Sequence, residues 1–262
     1  MRTFFLFLLP ACTLLAKETT QRVFFAYETY YRDYHEKFEA PLKSDEKGVL
    51  SGLRVGYDYD HRLYLGADLG IAWGRTRYDG STVSLLTGEI APSEATTDNQ
   101  IFNIEARGGR TFRYRRCAIT PFLGVGFFQW NRLLDEDRED YYWHYGAVGF
   151  RSVCECTSFF SIGLNLKAMR MLRGEISIDT NDHFFHQILR LGNRWQGLAE
   201  LPLTYRIDRH WDVRWVPFFL KQNIGRSNSA LSIDPDFGTF RILEPSSRTY
   251  VIGLRVESGF NF

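Results

Sequence analysis

Apolar and polar residues alternate with a period of two along almost the whole chain, and no stretch sustains a helical period. Successive side chains of a strand point to opposite faces, so this pattern commits the chain to β-sheet and assigns each residue a face. Ten such segments stand out, at about 22–36, 48–59, 62–76, 99–113, 117–130, 140–153, 158–171, 194–206, 211–223 and 248–262. In the third, Leu63, Leu65, Ala67, Leu69, Ile71 and Trp73 oppose Tyr64, Gly66, Asp68, Gly70, Ala72 and Gly74. In the seventh, Phe160, Ile162, Leu164 and Leu166 oppose Ser161, Gly163, Asn165 and Lys167.

A soluble sandwich also alternates, so the connections decide between architectures. Those around Asp60-His61, Tyr114-Arg115-Arg116, Cys154-Glu155-Cys156 and Asp208-Arg209 are tight. The intervening ones are mostly long and hold the Pro, Ser, Thr, Asp and Asn clusters of 41–47, 78–98, 172–193 and 227–247. Tight turns at one end and long loops at the other are the pattern of a barrel that crosses a membrane. The predicted fold is therefore all-β, an antiparallel up-and-down barrel of ten strands, with eight or twelve as alternatives. An even strand number brings both chain ends to the short-turn end and leaves no open edge.

Composition agrees with a wall that is apolar outside and polar inside. Aromatics reach 16% while charged residues still make up 24%, and mean hydropathy is −0.27. Past the leader there is no apolar run of the ~18 residues that a membrane helix needs. With 32 basic and 31 acidic residues the chain is nearly neutral, which argues against nucleic acid as a partner. Residues 1–16 read as a cleavable signal peptide, with Arg2 at the positive start, an apolar stretch from Phe4 to Leu15 and Ala16 at the cleavage point. Leu9-Pro10-Ala11-Cys12 loosely matches a lipoprotein box, which leaves acylation of Cys12 open. Residues 17–262 then form one barrel domain.

The last strand presents Tyr250, Ile252, Leu254, Val256, Phe260 and Phe262 on one face. With the leader, the alternation and the loop pattern, it makes the chain resemble a small Gram-negative outer-membrane β-barrel of the OmpA-like or porin-like type. Gly253, Leu254, Val256, Phe260 and Phe262 resemble the signal read by the barrel assembly machinery, and Ser258 departs from it. The resemblance implies a bacterial outer-membrane location, periplasmic termini, and outer-membrane lipids and that machinery as partners. Aromatic girdles are expected at both interfaces: Tyr30, Tyr31, Tyr34, Trp130, Tyr141, Trp143 and Trp195 toward the long loops, and Tyr57, Tyr59, Tyr205, Trp211, Phe260 and Phe262 toward the short turns.

Face parity assigns to the lumen Arg54, Asp58, Asp68, Glu105, Arg107, Lys167, Glu200, Arg206, Arg255 and Glu257. Ten strands enclose a narrow lumen, and charges of both signs there should pair, because an unpaired buried charge is costly. A mostly plugged, salt-bridged interior is expected. Function then falls to the loops, with 77–98 and 227–247 as candidates for an extracellular ligand. A structural or surface-interaction protein is the first expectation, a small-solute channel the second, and a lipid- or peptide-hydrolysing enzyme the third.

For the third, Asp58-Tyr59-Asp60 and Asp208-Arg209-His210 are similar to the paired motifs of the omptin proteases, themselves ten-stranded barrels, but fall on tight turns at the rim opposite to that family's site. A deacylase-type site would need Ser, His and a carboxylate together. His35, His144, His183 and His186 approach the long-loop end, and His144 has Glu139 and Asp140 near in sequence. His183-Phe184-Phe185-His186 beside Asp182 is a weak metal pattern. No catalytic residue, cofactor or metal ligand is assigned. Folding strands five and six about residues 131–139 brings Cys117 opposite 153 or 154, so Cys117 is expected to bond Cys154 or Cys156 and leave one thiol, with three free or partner-linked thiols as the alternative.

Overall fold

The computed structural model describes residues 20–38, 41–83, 87–134, 137–180, 185–234 and 238–262. Residues 1–16, read above as a signal peptide and holding Cys12, and Asp182, His183 and Phe184 of the two-histidine loop, lie outside these. The strands are β1 (Thr20–Glu36), β2 (Ser44–Asp60), β3 (Leu63–Val83), β4 (Ile90–Arg110), β5 (Phe112–Tyr114), β6 (Cys117–Leu134), β7 (Asp137–Glu155), β8 (Phe160–Thr180), β9 (Phe185–Leu191), β10 (Trp195–Glu200), β11 (Leu203–Arg206), β12 (Trp211–Ile224), β13 (Ala230–Asp234), β14 (Gly238–Ile242) and β15 (Ser247–Asn261).

They make a closed antiparallel barrel of ten staves. β5 continues β4, and β9, β10 and β11 form one interrupted stave running back along β8. β15 pairs with β1 on one side and β12 on the other, which closes the wall. β13 and β14 form a separate hairpin beyond it. All ten predicted segments are staves, and the four tight turns lie at one end together with Thr20 and Asn261.

The alternation explains the wall. Along β3, Leu63, Leu65, Leu69 and Trp73 are exposed on the outside, while Tyr64, Asp68 and Ala72 are buried inside. From Leu63 to Trp73 the outer face is apolar; at the ladder's rise and a barrel's tilt, those eleven residues span about 25 Å, the height of a lipid-facing band. Above Trp73 the outward residues become Arg75 and Arg77, paired across the hairpin with Asp98 and Glu94. On β1 and β2 the change falls between Tyr31 and Asp33 and between Val49 and Lys47.

Two expectations are corrected here. The segments taken as long loops are largely strand, since β3 and β4 stay paired to Val83 and Ile90, and β8 and β9 to Thr180 and Phe185. Above the band neither face needs lipid-compatible side chains, so the ladders continue in polar sequence that carries no β signature. The long-loop girdle is also mostly absent. Tyr31 and Trp195 do point outward, but Tyr30, Tyr34, Trp130, Tyr141 and Trp143 are buried inside the barrel.

Candidate functional site: the lumen

Those inward aromatics divide the lumen into two halves. In the long-loop half, Trp130 stacks on Tyr141 with centroids 4.6 Å apart, Phe128 stacks on Trp143 at 4.3 Å, and Tyr34 meets Trp130 edge-on at 5.2 Å. Met169, Met171, Ile176, Leu189, Leu191 and Ile224 complete a continuous apolar cluster. Such pairs contribute beyond their buried area, and interiors of this kind pack without water-sized gaps. Ala230 and Ile242 of the β13–β14 hairpin pack against the cluster, so the two ends of this hairpin lean on the plug.

A polar collar surrounds this plug. Arg132 donates to Glu46 Oε2 at 2.8 Å and to Glu139 Oε2 at 2.6 Å. Arg32 lies 3.7 Å from the centroid of Trp130 and donates to Asn99 at 3.2 Å. Tyr34 donates to Glu36 at 2.8 Å. Tyr141 Oη is 2.8 Å from Glu244 and 3.0 Å from Glu139. One hydroxyl proton serves one carboxylate at a time, so negative charge is crowded about Tyr141. Glu36 and Glu244 lie above the apolar band. Burial, against the opposing pull of Arg132, pushes Glu36 up to about 7. Burial together with Glu36 and Glu139 holds Glu244 well above the usual carboxylate range.

Below the plug, the charges form two chains. In the first, Arg54 pairs with Glu28 at 3.2 Å and with Asp68, Arg107 with Asp68 at 2.8 Å and Glu105 at 3.7 Å, and Lys167 with Glu105 at 2.5 Å. Tyr145 donates to Glu105 at 2.7 Å. In the second, Arg255 bridges Glu200 at 3.0 Å and Glu257 at 2.9 Å, and Arg22 bridges Glu257 at 2.9 Å and Asp212 at 2.8 Å. Eight of the nine charges assigned beside Asp58 to the lumen enter these chains. Arg206 does not: it sits exposed at the short-turn rim, 2.6 Å from Glu155. Arg22, Glu28, Asp212, Arg151 and Arg214 also face inward and were not singled out in the sequence.

These chains line the wall of a cavity of about 710 Å³ that runs from the short-turn mouth up to Arg32, Phe128 and Met169 beneath the plug. Asp58 is buried in its wall and accepts from Tyr64 at 2.9 Å. At the rim, Asp208 accepts the backbone N–H groups of His210 and Trp211, which hold its carboxyl below the usual range. His210 stacks on Phe260, with Nδ1 3.1 Å from the Asn261 carbonyl oxygen. The Asp-x-Asp and Asp-x-His motifs thus serve separate local bonds, two staves apart. His144 faces outward against Phe127, and His35 sits between Asp33 at 2.8 Å and Asp45 at 2.6 Å. No cluster of three or more metal-ligating side chains occurs among the described residues. Cys117 and Cys154 are directly paired in β6 and β7 and bonded, and Cys156 is free and exposed.

By fold the chain is a ten-stranded barrel of the outer-membrane type. It is similar to the outer membrane protease OmpT of Escherichia coli, with 8% identity, coverage of 93% of this chain and 96% of that one, and a TM-score of 0.61. More distant likenesses are the translocator domain of the autotransporter NalP of Neisseria meningitidis (11% identity, 95% and 91% covered, TM-score 0.45) and the attachment invasion locus protein Ail of Yersinia pestis (10%, 94% and 100%, 0.36). No protein-family model and no curated protein matches the chain. At such identities the likeness is one of fold, and a fold of this kind hosts unrelated activities.

Proposed function

We propose that this is a non-conducting barrel of the bacterial outer membrane, acting as a structural or surface-interaction protein through its long-loop end. The observation that carries the reading is the apolar plug. Trp130, Trp143, Tyr34 and Tyr141 are each at most 1% exposed inside the barrel. An ion has no polar path through such a cluster, and displacing it would open large voids at several kcal/mol per aromatic side chain. Tight turns and both ends of the described chain share the opposite end, which in barrels of this class faces the periplasm. The extended β3–β4 ribbon, with Arg75, Arg77, Glu94 and Asp98 exposed, is then the surface offered to a partner.

The test is conductance of the refolded full chain in planar bilayers. Silence at moderate voltage, from protein whose gel mobility shifts on heating as folded barrels do, is the expected result. Steady single-channel steps would instead favour a small-solute channel and sink the plug.

A further inference from the structure

The cavity at the short-turn end is not neutral. Among its lining residues are thirteen arginines and lysines against nine aspartates and glutamates, and Glu105, just behind the lining, makes ten. The surplus has a definite place. Deep in the cavity Arg54, Arg107, Lys167 and Arg255 are matched by Glu28, Asp68, Glu105 and Glu200. Nearer the mouth the matching fails. Arg22 takes the short contacts of both Asp212 and Glu257. Arg214 is left 3.7 Å from Asp212 and 4.0 Å from Glu257, and no hydrogen bond from its guanidinium occurs among the described residues; Nε is buried, so its Nη groups are the donors a ligand could reach. Arg151 packs over the Tyr64 ring at 4.6 Å and stands 3.5 Å from Asp58 and 3.9 Å from Asp60, too far for a close carboxylate fork. Arg22 and Arg151 both lie close enough to repel the Arg214 cation.

An arginine held inside a cavity without its carboxylate fork is an unfilled set of donors, and its planar geometry suits two oxygens of one anion. Strand register places hydroxyl groups beside each arginine. Thr204 is directly paired with Ser161 on one side and Arg214 on the other, and Thr120 is paired with Arg151. The mouth adds Arg115, Arg116 and Arg209, with no ion pair among the described residues; their field would draw anions inward. The volume falls within the usual range for a small-molecule site.

We infer that the short-turn cavity binds a small oxyanion, a phosphate- or carboxylate-bearing solute, between Arg151 and Arg214. The site lies at the end opposite the plug and goes beyond the surface role proposed above, on which it does not depend. The same chemistry has a second source in lipid headgroups, which would meet the rim arginines from outside without entering the cavity.

The test uses the full chain refolded in neutral detergent, titrated calorimetrically with pyrophosphate, with citrate and with a neutral trisaccharide at low salt. Saturable binding of pyrophosphate or citrate, but not of the sugar, is expected. Loss of one charged hydrogen-bond donor should weaken it by about tenfold or more in Arg214→Gln and in Arg151→Gln. Arg115→Gln with Arg116→Gln should change it by no more than a few fold. Absence of saturable anion binding overturns the inference, as does binding indifferent to both cavity arginines or lost only with the rim pair. Should neither cavity variant regain the heat-dependent gel shift, the wild-type chain decides: pyrophosphate must raise its urea midpoint, and an unmoved midpoint overturns the site.

Discussion

Arg22 shows how far one side chain organises this interior. It is 2% exposed, bonds Asp212 and Glu257 together, and lies 5.0 Å from the Phe24 ring centroid. Gly259 leaves it the room, since a Cβ there would stand 2.3 Å from Arg22 Nε. Replacing Arg22 with Met would leave two buried carboxylates without their shared cation. Urea unfolding in detergent should show a loss on the order of 3–5 kcal/mol, the cost of breaking a buried pair by removing one member; a loss below about 1 kcal/mol would mean that Arg214 takes over both acids. Arg22 escaped the sequence for a definite reason. On β1, Arg22, Phe24, Ala26, Glu28 and Tyr30 alternate with Val23, Phe25, Tyr27, Thr29 and Tyr31, and aromatics on both faces blur which is which. On β3 and β8, where the inner face carries Gly, Asp, Asn and Lys, the charges were legible.

At the scale of elements, the segment from Gly225 to Ser246 depends on carboxyls that prefer their protons. Glu244, 5% exposed, ties it to Tyr141, and Ser227 binds it through a 2.9 Å backbone bond to the Glu244 carbonyl. Glu36 at about 7 and Glu244 well above its ordinary value are both raised in the folded chain. A raised carboxyl stabilises fully below the unfolded value of about 4.3, and that contribution drains away as pH climbs through the folded one. Docking of the segment should therefore be tighter at pH 5 than at pH 8, the loss running upward from about 4.3 through about 7. Amide exchange of residues 227–231 and 241–246 reads this directly. Faster exchange at pH 8 than at pH 5, after correction for the intrinsic rate, is expected, and Glu244→Gln should abolish the difference. Equal protection at both pH values in the wild type would refute it. The sequence shows 227–247 as amphipathic enough to pack or to recognise, but not which, because the contacts of Ala230, Ile242 and Glu244 with the plug cluster and Tyr141 form only across the barrel mouth.

For the molecule as a whole, closure and plugging are separate achievements. Closure rests on the β15 ladders to β1 and β12, which run nearly the full length of the strand. Plugging rests on aromatics from β1, β6 and β7. Converting Trp130 and Trp143 together to Ala should leave the ladders intact, so the heat-dependent gel shift should persist. The unfolding free energy from urea titration should fall by the ~3–5 kcal/mol typical of each large-to-small change, and bilayers should gain conductance that the wild type lacks. A folded double variant that stays silent would place the seal elsewhere, in the ion-pair chains below.

The sequence by itself determined the class of fold, the ten staves, the tight-turn end and most of the lumen charges. Each follows from a period of two and the positions of turns, which are local and survive without knowledge of any partner. Tertiary structure alone decided that the long-loop aromatics turn inward as a plug, that Ala230 and Ile242 pack against it, and that Arg214 and Arg151 are only loosely matched by acids. Those outcomes depend on which staves face each other across a closed lumen. Parity assigns a face, but an aromatic stripe satisfies lipid and a packed interior equally well, and only closure of the sheet shows which of the two it meets.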